Sequence, residues 1–425
     1  MNRKEWIKTI ACVCVLAFVV SCMSGCGVTQ IQANDLMDGI EGQQAEEKEP
    51  DEAFKEAQMH LSAELLRLSI AKNEENNTNT LVSPLSIQLA LAMVANGADG
   101  VTREEMEQVM GGDISLEDMN KYLYTYVKKL PSTANYKLEI ANSIWFRDTE
   151  SLVVKDDFLQ TNATYYDAQA YQRAFDDVTA SEMNKWVKLH TDGMIDKIVD
   201  EIKPDMMLYL INALVFDAKW QDKYTAKDVI DSKFYQLDGT AQEVKLMGSD
   251  ESVYLQNDKV VGFMKPYKDR KYSFVALLPK EEGEEAFMDF VENLTGEELQ
   301  GLLSNKTYGE VECKLPKFTY EYEIDLIEIL QDMGMTSAFG GGADFSKMAD
   351  CTEGNLYIAE AIHKTYIEVD ENGTKAAAVT GMGAAAESEP MKFYVRLDRP
   401  FVYMIIDNDT NLPIFIGTLM SIEEK

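Results

Sequence analysis

Nothing divides the chain between residue 57 and residue 424. No Pro/Gly/Ser-rich linker and no fixed-period repeat interrupts those nearly 370 residues. Chains of that length usually split once a single hydrophobic core stops growing. An undivided stretch this long predicts one large domain, residues 57–425. The chain is 46% hydrophobic with 10% aromatic residues, ample for its core.

Both local periods occur within it. Leu61, Leu65 and Leu68 stand at i, i+4 and i+7, one face of a helix. Ser83-Pro84 opens a second helix, Leu85 to Val94, with Ser83 as candidate N-cap and the proline in the first turn. Gly97, Asp99 and Gly100 end it. Strand-like runs rich in β-branched and aromatic residues follow at Tyr136–Phe146, Met207–Phe216, Tyr272–Leu278, Val311–Ile324, Leu356–Val369 and Phe401–Ile406. Helical stretches at Ser181–His190, Glu284–Glu292 and Ile324–Met333 lie between them. The expected class is α+β.

The first residues carry a compartment signal. Arg3, Lys4 and Lys8 precede an unbroken apolar run of eleven residues, Ile10 to Val20. That is too short to span a bilayer and suits the apolar region of a signal peptide, residues 1–21. Val19-Val20-Ser21-Cys22 and Met23-Ser24-Gly25-Cys26 both look like a bacterial lipobox, Cys22 fitting better. A lipid on Cys22 or Cys26 predicts an extracellular, surface-tethered protein that meets the membrane only through that anchor. Residues 22–56 read as an acidic flexible linker; positions 27–56 hold nine acidic residues against two basic ones. Cys12 and Cys14 leave with the signal, and Cys313 and Cys351 are expected to stay unpaired.

A net charge of −33 repels phosphate backbones, which argues against nucleic acid as a partner. Enzyme motifs are missing too. The three histidines, His60, His190 and His363, stand in no His-Glu-x-x-His pattern, and there is no Cys-x-x-Cys, so no metal or cofactor is expected. No Gly-x-Ser-x-Gly elbow exists, and no catalytic residue is assigned. Gly381-Met382-Gly383-Ala384-Ala385-Ala386 imitates a dinucleotide fingerprint. Pro390 follows too closely for the helix that must receive the pyrophosphate.

The unusual segment is Gly373 to Ala386. It lacks large side chains except Lys375 and Met382. At period two, Thr374, Ala376, Ala378 and Thr380 form an all-small face, with Lys375 on the other. Such a segment can slide into a tight slot in a sheet with its one charge outward.

The chain here resembles the serpin family over nearly everything after residue 57. The family's hinge pattern appears as Glu371-Asn372-Gly373-Thr374-Lys375-Ala376-Ala377-Ala378-Val379-Thr380, behind His363-Lys364. Asn79 to Ile87 looks like its early Asn-x-x-x-Ser-Pro-x-Ser motif. Asn184-Lys185-Trp186, Asn212-Ala213 with Phe216 and Trp220, Leu315-Pro316-Lys317-Phe318, Ala343-Asp344-Phe345-Ser346 and Arg399-Pro400-Phe401 follow in the family's order. Asp217 departs from it, standing where the family usually has lysine.

The resemblance implies three β-sheets with about nine helices, an exposed reactive-centre loop and a metastable native state. It implies a monomer that is not an enzyme but a serine protease inhibitor acting as a suicide substrate. The hinge is then Glu371, Gly373, Thr374, Ala376, Ala377, Ala378 and Thr380. Ser83, Ser86, Asn212 and His363 form a polar network beneath the opening sheet. Family spacing from Gly373 puts the reactive bond at Glu387-Ser388, with Ala386-Glu387 and Glu389-Pro390 as alternatives. Ala384, Ala385 and Ala386 fill the subsites before the bond. They suit the shallow apolar groove of an elastase-like or subtilisin-like protease, while a chain with no Lys or Arg between 376 and 391 does not suit a trypsin-like one. The other reading is a non-inhibitory binding protein on the same fold. Gly381 and Gly383 lower strand propensity in the loop and would slow its insertion.

Overall fold

The computed structural model describes residues 34–73, 78–130, 132–203, 206–374 and 391–422. Nine helices lie among them. Six come early: α1 (Glu52–Lys72), α2 (Pro84–Ala95), α3 (Gly100–Gly111), α4 (Leu116–Lys128), α5 (Asp156–Tyr166) and α6 (Asp177–His190). Glu284–Glu292, Gly296–Ser304 and Ile327–Asp332 complete the set. The strands around the site are β1 (Asn34–Asp35), β2 (Tyr136–Arg147), β3 (Gln169–Arg173), β4 (Leu208–Lys219), β5 (Phe318–Asp325), β6 (Ile362–Val369) and β7 (Gly373–Thr374).

These strands form two separate sheets. One sheet runs β1-β3-β2-β4-β7, and β5 pairs with β6 alone. A nine-stranded sheet gathers most of the other strands, and Leu152–Val154 pairs with Ala349–Cys351. The α+β class and the helix number agree with expectation, and the strands of the described residues group into four sheets where three were expected. The core is continuous from α1 through the nine-stranded sheet, with Phe54, Leu65, Ile87, Phe274, Phe401 and Ile416 fully or nearly fully buried.

Local chemistry explains the elements near the site. Ser83 caps α2: its hydroxyl accepts from the Ser86 N–H, and Pro84 opens the first turn. Eleven of the twelve α2 residues are buried, so α2 is a central helix rather than an amphipathic surface one. Val311–Ile324 is two strands, because Lys317 separates Thr307–Pro316 from β5. In Leu356–Val369 only Ile362–Val369 is strand. Cys313 and Cys351 are free thiols, the first buried.

The expectation of an unordered linker fails for residues 34–56. β1 pairs with the edge strand β3, Asn34 opposite Gln172 and Asp35 opposite Tyr171. Leu36, Met37 and Ile40 pack against the core. Glu46, Glu47 and Glu49 then pair with Lys121, Lys128 and Lys129 on and just beyond α4, and Lys48 pairs with Asp118. Asp51 caps α1 by accepting from the Phe54 N–H. The acidity that looked like a solvating tail is matched by a basic stripe. Each exposed pair contributes little by itself, and the three apolar side chains and the added strand supply the rest.

Candidate functional site

β4 has a strand neighbour on both sides only at one end. β2 pairs along most of its length, with Asn142 opposite Asn212. On its other side only β7 pairs, Gly373 opposite Lys219 and Thr374 opposite Ala218. Among the described residues no ladder joins β4 to β6 beyond that point. A cavity of about 50 Å³ lies between them, lined by Leu208, Leu210 and Asn212 from β4, Ile362 and His363 from β6, and Ser86 and Leu91 from α2 beneath. The two strands thus flank a gap whose top is closed by β7, Gly373 and Thr374.

β7 and the turn before it are tightly held. Thr374 is buried, and its hydroxyl hydrogen-bonds the Tyr267 hydroxyl at 2.6 Å. Tyr267 stacks on Trp220, ring centroids 4.5 Å apart. Trp220 donates its backbone N–H to the Asn372 carbonyl at 3.0 Å and its indole N–H to the Asp370 carbonyl at 2.9 Å. The Tyr224 N–H donates to the Glu371 carbonyl at 3.1 Å. The Asp370 carboxylate accepts from the N–H groups of Asn372 and Gly373, an Asx-type turn. Glu371 is ion-paired to Lys317 at 2.7 Å, and that partner keeps its carboxyl below the usual range although partial burial opposes it.

Gly373 is required by close approach. A Cβ there would stand 2.1 Å from the Ala218 carbonyl oxygen and 2.8 Å from Lys219 Cα, both backbone atoms that cannot give way. Gly373→Ala is therefore expected to push β7 off β4 and lower stability by about 1–3 kcal/mol. A fall in the denaturant midpoint, with faster proteolysis of the loop, checks it.

The structure brings Ser83, Ser86, Asn212 and His363 together at the floor of the slot. The Ser83 N–H donates to His363 Nε2 at 3.0 Å, and the Ser83 hydroxyl to the Ile414 carbonyl at 2.8 Å. The Ser86 hydroxyl donates to Asn212 Oδ1, whose amide donates to Asn142 Oδ1 at 2.5 Å. Asn142 donates in turn to the Tyr166 carbonyl at 3.2 Å. One hydrogen-bonded line thus runs from β6 through α2 to β4 and β2. Burial lowers the His363 pKa to about 4, so the ring is neutral and able to accept.

Other calls lie outside the described residues: hinge positions Ala376, Ala377, Ala378 and Thr380, subsites Ala384, Ala385 and Ala386, the bond Glu387-Ser388, and Cys22 and Cys26. Sequence reasoning missed Asn142, Tyr267 and the clamping role of Trp220. A strand asparagine is the only signal for the first. Tyr267 and Trp220 read as core aromatics until their partners are known. Among the described residues no three His, Cys, Asp or Glu gather into a group able to hold a metal ion.

Comparison with known proteins agrees with this architecture. The family described as "Serpin (serine protease inhibitor)" matches residues 56–422. An uncharacterized serpin-like protein of Thermococcus kodakarensis is 32% identical over 356 residues, 81% of each chain. The crystal structure of the thermophilic serpin tengpin in its native state has a TM-score of 0.85 and 47% identity, covering 92% of this chain and all of that one. Tengpin in its latent state gives 0.79 and 46%, covering 89% of this chain and all of that one. The chain belongs to the serpin family, and a serpin is in general a protease inhibitor rather than an enzyme.

Proposed function

We propose that this protein inhibits serine proteases as a suicide substrate, with Glu387-Ser388 as its bait bond. The observation that carries the reading is the hinge already paired to β4 above an unfilled slot. Continuing that register steps each further loop residue back along β4. Ala376 then meets Phe216, Ala378 meets Leu214 and Thr380 meets Asn212. On the other side the Asp370 N–H bonds the Gly373 carbonyl, so Thr380 also meets His363. In that register the small residues of an inserted hinge would face inward, and its last threonine would arrive between the two ends of the polar network.

The chemistry is ordinary acyl transfer. The protease serine oxygen attacks the Glu387 carbonyl carbon, and the Ser388 amine leaves with a proton. The new N-terminal half of the loop then enters the slot before water hydrolyses the ester. Insertion carries the tethered protease across the molecule and disorders its active site. Stored strain supplies the drive. Ala384-Ala385-Ala386 favours an elastase-like or subtilisin-like target acting on a monomeric inhibitor. The lipobox pattern at Cys22 or Cys26 supports an extracellular, membrane-tethered location, checked by labelling with a radioactive fatty acid in the wild type and in Cys22→Ala and Cys26→Ala.

Incubation with elastase- and subtilisin-type proteases tests the function. A one-to-one complex that survives denaturing electrophoresis is the expected result. Clean cleavage with free, active protease contradicts it.

A further inference from the structure

Behind the clamp that grips the hinge turn sits a buried ion pair. Lys265 and Glu251 are 2.7 Å apart, with side-chain exposures of 1% and 8%. The Lys265 ammonium also donates to the Asp222 carbonyl at 3.1 Å. It lies 4.4 Å from the centre of the Tyr224 ring and 5.4 Å from that of Trp220. Glu251 is held in turn by the Ser249 hydroxyl at 2.8 Å. The ammonium thus stands between two hydrogen-bond acceptors, Glu251 and the Asp222 carbonyl, and the rings of Tyr224 and Trp220.

A buried pair of this kind is a poor source of stability. Desolvation offsets most of the attraction, and an apolar pair of similar volume is often as stable or more so. What the cation adds is geometry. Desolvated, it attracts both aromatic faces, and those rings belong to the two residues whose N–H groups hold the carbonyls of Asp370, Glu371 and Asn372.

We propose that Lys265 is the positioning residue of the loop's pivot: it fixes Trp220 and Tyr224, and through them the turn about which the loop swings into the slot. A fixed turn presents each new loop residue in register with β4. A loose one lets the loop sample misaligned starts, and insertion slows. The proposal rests on the insertion reading given above and adds to it the residue that sets its rate.

The test uses the full chain and the double variant Lys265→Met/Glu251→Gln, which leaves no orphan buried charge. The loop is cut by thermolysin, and insertion is followed as the gain in thermal stability with time. The double variant is expected to reach the same final stability about tenfold more slowly, a factor that corresponds to about 1.4 kcal/mol of barrier. Lys265→Arg, which keeps the cation, is expected to stay within about threefold of wild type. Equal rates for wild type and double variant overturn the role of Lys265 and leave the insertion reading standing. A wild type that gains no stability on cleavage overturns both.

Discussion

Thr374→Arg is expected to abolish covalent trapping while leaving the loop as easily cut as before. Thr374 is buried against Tyr267, and its hydroxyl is satisfied there. It is the first inward-facing position of the strand that must form. A guanidinium at that point would have to be buried against the Tyr267 ring, at a cost of several kcal/mol. The arginine stays outside, the ladder between β7 and β4 does not extend, and the acyl-enzyme has time to hydrolyse. With an elastase- or subtilisin-type protease the variant should give cleaved inhibitor and fully active enzyme. Thr374→Ser keeps the bond to Tyr267 and should still form the complex. Complex formation by Thr374→Arg at the wild-type yield would contradict the account of the hinge.

The second large effect is acid sensitivity through His363. The folded-state pKa is about 4, below the unfolded value of 6.5, because burial disfavours the charged ring. A depressed pKa means that the unfolded chain takes up the proton first. The stabilisation is therefore fully present above pH 6.5, declines as pH falls through that window and is lost by about pH 4. The shift corresponds to about 3 kcal/mol. Protonation also removes the acceptor for the Ser83 N–H, so acid loosens the floor of the slot. His363→Gln retains an acceptor without the titration. The wild-type denaturant midpoint should fall steeply between pH 6.5 and pH 4, and the variant's should be flatter over the same range. Parallel curves would contradict the assignment.

The legible and illegible parts of this protein differ in physical kind. Gly373 was readable because a glycine is what a close backbone approach demands, and a Cβ there would stand 2.1 Å from the Ala218 carbonyl oxygen. Ser83 was readable as a cap because capping is local. Residues 34–49 were misread because composition reports charge but not its partner; the lysines of α4 lie far along the chain. Lys265 gave no local signal beyond one charge in an apolar strand, Val260–Pro266. Its meaning depends on Glu251, Tyr224 and Trp220 arriving from other elements.

Mass analysis of the product formed with a trapped protease tests the central claim most directly. The account predicts an ester-linked complex containing residues up to Glu387 joined to the protease serine, with a released fragment beginning at Ser388. Two free inhibitor fragments beside unmodified, active protease would contradict it.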